Sequence, residues 1–365
     1  MQLEFFPSRT LTFYLARLFF VRILAVLVML VLVLQTLDML GEGGKIMAYP
    51  GNGQAQLLTY VSLRAPQLVS FFTPYSVLLA TIITLATLNQ NSEVIAMKAA
   101  GMSAHQVLAP LLMTALGISV VLFAFNERVV TRSTATLKSW ASVDYGPVPK
   151  DAGTRVNVYL RDGQNILVAS SVSGEDAAMV MEGVTWYGRD AAGMVTSQVR
   201  SPRATFTAPG WRLEAPVRFT VKGTRTEPIR PFTVAAGIAP RDVAISKVDA
   251  DAQNIFQLTR SIQQLQAAGR RTSELEASWW HKFSGPLSAT LMPLLGAIAA
   301  FGLARSGALL IRAIIGMALG FAYFVVDNAA LAMGDFGGYP PFIAAWAPFL
   351  LFLLVGETVL VRTEE

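Results

Sequence analysis

The pattern of hydrophobic and polar positions divides the chain into two apolar ends and a more polar middle. Five charge-free apolar windows approach or exceed the length of about 20 residues that a helix needs to cross a bilayer. These windows are residues 65–92, 106–126, 283–304, 313–326 and 336–356. A sixth, 23–37, extends through 18–20 if the Arg22 side chain reaches the membrane interface. The pattern therefore predicts six membrane-spanning helices, three before and three after the polar middle.

The polar middle, residues 127–278, has a different pattern of apolar residues from the two ends. Short runs rich in β-branched residues alternate with Gly and Pro turns, which predicts an antiparallel all-β domain, a sandwich or a jelly roll. These runs are 156–160, 165–169, 179–184, 195–199, 204–207, 211–213 and 217–221. We expect the inward side chains to be Val158, Leu160, Ile166, Val168, Phe206 and Phe219.

A polar amphipathic helix follows the strands, with Ile255, Leu258, Ile262 and Leu265 on one face and Gly269 as its end. The fold class is thus an α-helical membrane protein with a jelly-roll-like β domain between helices 3 and 4. The expected segments are 1–126 with spans 1–3, 127–250 with the β domain, 251–278 as a helical connection and 279–365 with spans 4–6.

Composition and charge support a membrane protein and give an orientation. The chain is 53% hydrophobic and 15% charged, whereas soluble domains carry about 25% charge. With the N-terminus in the cytoplasm, the basic residues of short inner loops and ends outnumber the outer Lys45 and Arg64. The inner ones are Arg9, Arg17, Arg22, Lys98, Arg305, Arg312 and Arg362. We therefore expect both termini in the cytoplasm and the β domain outside, and we attribute the net charge of +5 to this bias rather than to nucleic-acid binding.

The sequence carries no recognisable catalytic machinery. It has no cysteine, and its two histidines, His105 and His281, are too far apart in sequence to suggest a metal site. We find neither a phosphate-binding loop nor a hydrolase motif. If the protein moves a substrate against a gradient, another subunit must supply the energy, so we expect no cofactor on this chain.

The stretch NQNSEVIAMKAAGMSAHQ, residues 89–106, predicts a short helix, 92–101, between spans 2 and 3. Asn91 or Ser92 can cap its first turn, Glu93 suits the positive helix end, and Gly101 suits a left-handed closing position. We expect the helix to present Val94, Met97 and Ala100 or Gly101 outward along one side, with Glu93 and Lys98 elsewhere. Such a helix fits a groove of an ATPase, and the alternative is a simple interfacial turn.

Candidate substrate contacts lie near the outer ends of the spans. Asp38 and Asp327 are each 15–16 residues beyond an inner arginine, which places them near the outer interface. Each is either a proton or ligand site or a hydrated acid with a partner such as Lys45 or Asn328. The outer basic residues would contact the phosphates of an anionic amphiphile, or they are ordinary solvated charges. They are Lys45, Arg64, Arg128, Arg132 and Lys138.

The segments 71–103, 279–296 and 314–341, above all the run SEVIAMKAAGMS, resemble the lipopolysaccharide-export permeases of the LptF/LptG family. The resemblance covers nearly the whole chain. The FVVD run of span 5 and the GYPP hairpin resemble the LptG branch more than the LptF branch. Membership would imply a heterodimer with an LptF-type permease on an LptB-type ATPase dimer, which uses ATP and Mg. The pair would extract lipopolysaccharide and pass it through the β domains to a periplasmic bridge, with a helix of an LptC-type protein beside span 1.

The resemblance also implies roles for particular residues. Glu93 matches the family's coupling-helix glutamate, so the ATPase-coupling set is Glu93, Val94, Met97, Lys98 and Gly101. Spans 1, 2 and 5 would line the lipid cavity, with Phe71, Phe72 and Asp327 among the substrate contacts. One departure is that the outer end of span 1 has no basic residue before Lys45. The alternatives are an LptF-type paralogue, a membrane scaffold with a partner-binding β domain, and a membrane hydrolase that uses Asp38 and Asp327.

Overall fold

A computed structural model describes residues 7–142, 144–147, 155–174, 178–190, 193–220, 225–240, 243, 249–267, 269–301 and 309–362. Their contacts divide them into two compact units. The bundle unit comprises 7–39, 65–130 and the described part of 254–362, and the β unit comprises 40–64 and the described part of 131–253. Residues 302–308, which include Arg305 of the predicted inner loop, and the side chain of Arg312 lie outside the described part.

Each of the six predicted apolar windows is mainly helical over its described residues. In chain order the helices are α1 (Arg9–Ala48), α2 (Gln54–Gln90), α3 (Glu93–Ala99), α4 (Ala104–Phe125), a π-helical turn (Asn126–Val130), α5 (Thr131–Ser142), a 3-10 turn (Ala250–Ala252), α6 (Ile255–Ala267), α7 (Ser273–Phe301), α8 (Leu309–Asp335) and α9 (Pro341–Arg362). Among the described residues, five helical stretches are long and apolar enough to cross a membrane: Arg9–Ala48, Gln54–Gln90, Ala104–Ser142, Ile314–Asp335 and Pro341–Arg362. The fourth predicted span corresponds to α7, whose last side chains are not described.

The bundle unit has one hydrophobic core to which several helices contribute. In α1 the buried residues Leu15, Phe19 and Ile23 recur every four positions, so a single face of this long helix packs inward. Close helix contact also depends on small residues. A side chain at Gly296 of α7 would collide with Thr81 of α2, and one at Gly320 of α8 would collide with Leu78.

The β unit is antiparallel, as predicted. Its strands are β1 (Arg155–Asp162), β2 (Asn165–Ser173), β3 (Val180–Arg189), β4 (Val195–Thr207), β5 (Gly210–Glu214), β6 (Val217–Thr220), β7 (Arg225–Pro228) and β8 (Thr233–Val234). Strands β1 to β5 pair in chain order, and the long strand β4 pairs with β5 along one part and with β6 along another. The fold class of a helical membrane protein with an inserted β domain is therefore confirmed.

The β unit differs from the prediction in two details. The predicted β segment 127–250 begins with helix, because the π-helical turn and α5 extend the third span to Ser142. The assignment of Ile166 and Val168 to the interior is wrong. Leu167 and Ala169 of β2 are buried and pair with the buried Leu160 and Val158. Residues paired across an antiparallel ladder share a face, so Ile166 and Val168 lie on the opposite face.

The other predicted inward residues have mixed positions. Val158 and Leu160 belong to the core, Phe206 is partly buried against it, and Phe219 is half-buried. In the helical connection, Leu258, Ile262 and Leu265 of α6 are buried on the predicted face.

Candidate functional site

The short helix α3 lies between the second and third spans and is closed at its end by Gly101. This glycine has a left-handed φ of +86°, and its N–H donates to the carbonyl of Lys98 at 2.9 Å. The N–H of Met102 donates to the carbonyl of Met97 at 3.1 Å. These two bonds form a Schellman motif, so Gly101 has the predicted conformation.

The start of α3 differs from the prediction of a side-chain cap. Ser92 has a left-handed backbone, and its side chain makes no capping hydrogen bond. The Asn91 side chain instead donates to a Glu93 carboxylate oxygen at 3.2 Å. A reciprocal capping box lies on the other side of the glycine, where Ser103 and Gln106 begin α4. The short helix is therefore delimited mainly by its C-terminal closure and by the cap of the following span.

The outward face of α3 also differs from the prediction. Val94 and Met97 are each 7% exposed and belong to the core of the bundle unit. The expectation that they form the outward side is therefore wrong: an apolar pair at this spacing packs onto the adjoining spans. The exposed side consists of Ile95, which is 61% exposed, together with Ala96, Lys98 and Ala99. Sequence reasoning missed Ile95 as part of this exposed side.

The Glu93 carboxylate connects α3 to the first span. The Tyr14 hydroxyl of α1 donates to it, at 3.2 Å from Oε2 and 3.5 Å from Oε1. The two residues are 79 positions apart, so no local sequence signal could have revealed the contact. The geometry makes Glu93 accessible to a partner and at the same time part of the bundle.

Asp327 of α8 is buried inside the bundle unit rather than hydrated. Its side chain is 8% exposed, and its Oδ2 lies 3.1 Å from Nε2 of His281 in α7. Its Oδ1 is buried and finds no hydrogen-bond partner among the described residues. The predicted partners are wrong: Asn328 donates to the carbonyl of Phe324, and Lys45 pairs with Glu42 at 2.7 Å. Within the described part of the chain, no group of three potential metal ligands occurs.

Phe71 and Phe72 belong to a series of aromatic rings between α2 and α8. Their centroids are 5.0 Å apart, and Phe71 lies 5.6 Å from Tyr75. Tyr75 stacks on Phe324 of α8 with a centroid distance of 3.9 Å. Phe71 is 61% exposed, so the series begins at the surface of α2 and extends into the contact between the two helices. This apolar and polarizable surface suits acyl chains.

The predicted basic contacts are distributed over both units, and two of them are paired with acids. Lys45 contacts Glu42, as above, and Lys138 lies 2.5 Å from Asp249 and 3.7 Å from Asp251. Arg128 and Arg132 are exposed, whereas Arg64 and Asp38 are partly buried. Arg128 lies in the bundle unit and the other four basic residues lie in the β unit.

A bundle of long apolar helices, an inserted antiparallel sheet and a short closed helix between two spans define a multi-pass membrane protein with the architecture of a permease. Residues 13–362 match the family described as "Lipopolysaccharide export system permease LptF/LptG". The chain therefore belongs to this family, whose members are inner-membrane permeases of an ABC transporter. The resemblance drawn from the sequence is confirmed.

Individual relatives agree with the family match. The chain is 25% identical to the lipopolysaccharide export system permease protein LptG of Escherichia coli K12, over 98% of this chain and 99% of the relative. It has the same identity and coverage with LptG of Escherichia coli O6:H1. It is 22% identical to LptG of Haemophilus influenzae, over 85% of this chain and 87% of the relative.

Proposed function

We propose that this chain is the LptG-type permease subunit of a lipopolysaccharide exporter. It pairs with an LptF-type permease, works with an LptB-type ATPase dimer, which uses ATP and Mg, and accepts a helix of an LptC-type protein beside α1. It extracts lipopolysaccharide from the inner membrane and passes it to a periplasmic bridge. The observation that carries the proposal is the family match over residues 13–362, supported by LptG relatives that align over almost their full length.

In this proposal, α3 is the point at which the ATPase acts. The basic residues of the short loops favour a cytoplasmic position for it. Ile95, Lys98 and Ala99 form its exposed side, with Glu93 at the edge. Val94 and Met97 anchor the opposite side in the bundle core. Because the same seven-residue helix is exposed on one side and packed on the other, a push on its exposed side reaches the spans directly.

The substrate path in this proposal follows the exposed aromatic and basic side chains. The acyl chains contact the ring series that begins at Phe71, and the phosphates contact exposed arginines such as Arg128 and Arg132. Lys45 and Lys138 contribute less, because Glu42 and Asp249 already neutralise them. The β unit lies outside the inner membrane, and its apolar residues guide the acyl chains toward the bridge.

Two substitutions on α3 test the coupling role. Glu93→Lys and Ile95→Glu should each lower the amount of ATPase that co-purifies with the permease by about tenfold, which is the effect of losing one good interface contact. The measurement is the ratio of ATPase to permease after affinity purification in detergent. Glu274→Lys, an equal charge reversal in the exposed first turn of α7, is the matched control. Normal ATPase recovery with both α3 variants would contradict the docking proposal.

A further inference from the structure

The π-helical turn Asn126–Val130 lies at one of the four places where the chain passes between the bundle unit and the β unit. The bundle segment that begins at residue 65 ends at Val130, and the chain returns to the bundle unit at Asn254, immediately before α6. The outgoing and returning connections of residues 131–253, which include all the strands, therefore lie beside residues 126–130 and 254–255. Single π-helical turns inside long helices are rare and occur frequently at functional sites, which directs attention to the side chains at this turn.

Glu127, in this turn, contacts α7 with one carboxylate oxygen and the start of α6 with the other. The Lys282 ammonium group of α7 donates to Oε1 at 3.1 Å. The backbone N–H of Ile255, the first residue of α6, donates to Oε2 at 2.6 Å. The carboxylate of Glu127 thus contacts the returning connection at its first helical residue. It ties this connection to the end of the third span, where the outgoing connection begins.

This contact is largely shielded from water, so salt screens it less than it screens a surface ion pair. The Lys282 and Glu127 side chains are 14% and 13% exposed, whereas those of the Lys45–Glu42 pair are 67% and 28% exposed. Removing one partner of a buried pair leaves an uncompensated charge.

A second contact holds the same turn to another span. The Ser70 hydroxyl of α2 donates to Oδ1 of Asn126 at 2.6 Å. The π-helical turn is therefore bonded to α2, α6 and α7 by side chains of two consecutive residues. Such a junction favours joint movement of these elements over independent movement.

We propose that Glu127 is a positioning residue for export: it clamps to α7 the outgoing and returning connections of residues 131–253, the part of the β unit that contains the strands. Displacement of the bundle then reaches both connections at once. The inference rests on the proposed function, since the displacement is the one that ATP hydrolysis drives. Without the clamp, ATP is still hydrolysed but less lipopolysaccharide is delivered.

The first test measures the clamp without transport. Val129 and Phe256 are 39% and 78% exposed, and the chain has no native cysteine, so Val129→Cys and Phe256→Cys accept two spin labels specifically. Pulsed electron paramagnetic resonance on the full complex should give one narrow distance distribution. Glu127→Gln should broaden it, because an amide NH₂ cannot replace both carboxylate acceptors. Lys282→Met should keep it narrow, because the bond from Ile255 to Glu127 remains.

The second test measures coupling as lipopolysaccharide delivered to the bridge protein per ATP hydrolysed in proteoliposomes. We expect this ratio to fall about fivefold or more in both Glu127→Gln and Lys282→Met, the size of an ordinary coupling effect. A purely structural role would reduce the amount of intact complex but not the ratio. Arg260→Gln, which removes an exposed charge from α6, is the control and should leave the ratio unchanged.

The outcomes are distinct. An unchanged distance distribution in Glu127→Gln, or an unchanged delivery ratio in both variants, would overturn the inference. If Glu127→Gln does not assemble, Lys282→Met alone decides through its delivery ratio. If the unmodified complex delivers no lipopolysaccharide at all, the proposed function fails, whereas the distance measurement still reports on the clamp.

Discussion

At the scale of single residues, the pair of His281 and Asp327 shows what a buried polar contact contributes to this fold. The nearest side-chain atoms lie 3.1 Å apart and join α7 to α8. Sequence reasoning selected Asp327 because an acid in an apolar run is unusual. It could not find the partner, because His281 is 46 positions away on another helix. Only tertiary packing brings the two residues together.

This pair makes a stability prediction. His281→Leu should destabilise the bundle by about 3–5 kcal/mol, because it leaves the carboxylate buried without its partner. The double substitution of His281→Leu with Asp327→Leu should recover most of the loss, since an apolar pair fits the same site. Thermal unfolding of the purified protein in detergent measures both effects.

The control for this prediction is Asn328→Leu, which changes the exposed neighbour of Asp327 on the same helix. Its unfolding temperature should remain close to that of the unmodified chain. Equal destabilisation by the single and double substitutions would show that the loss does not arise from an unpaired buried carboxylate.

At the scale of elements, strand β2 shows why its buried face could not be predicted from the sequence alone. The run NILVASSV has apolar residues at consecutive positions, so alternation alone does not identify the buried side. Pairing identifies it, because Leu167 lies opposite Leu160 and Ala169 opposite Val158. The same holds for the short helix α3. Its closure at Gly101 was predictable from local chemistry, but its buried side was not.

The observed pairing of β2 predicts that truncating two neighbouring side chains lowers the stability of the β unit by unequal amounts. Leu167→Ala should lower the stability of the β unit by about 2–5 kcal/mol, the usual range for a buried leucine. Ile166→Ala should cost less, because Ile166 is only half-buried and lies on the other face. Limited proteolysis of the full chain under increasing denaturant, followed at sites in the β unit, measures the difference.

The comparison contains its own control, since both substitutions remove a branched side chain of the same size from adjacent positions. A larger loss of stability with Ile166→Ala than with Leu167→Ala would favour the predicted inward position of Ile166 and contradict the observed pairing.

At the scale of the whole molecule, the arrangement of spans and β strands was predictable and the junctions between elements were not. Long apolar runs and alternating strands are strong signals, because a bilayer permits only helices or closed barrels to cross it. The contact of Tyr14 with Glu93 and that of Lys282 with Glu127 join residues that are 79 and 155 positions apart. No periodicity in the sequence encodes such contacts. The first connects α3 to the first span, and the second connects α7 to the turn that leads toward the β strands.

The central claim is that this chain converts ATP hydrolysis into movement of lipopolysaccharide through α3. The most direct measurement uses proteoliposomes that contain the chain, an LptF-type permease and the ATPase dimer, with lipopolysaccharide trapped by crosslinking on the bridge protein. We expect lipopolysaccharide to accumulate on the bridge with ATP, to accumulate little with a non-hydrolysable analogue, and to be strongly reduced with Glu93→Lys. Steady ATP hydrolysis with no lipopolysaccharide on the bridge, or equal accumulation without hydrolysis, would contradict this claim.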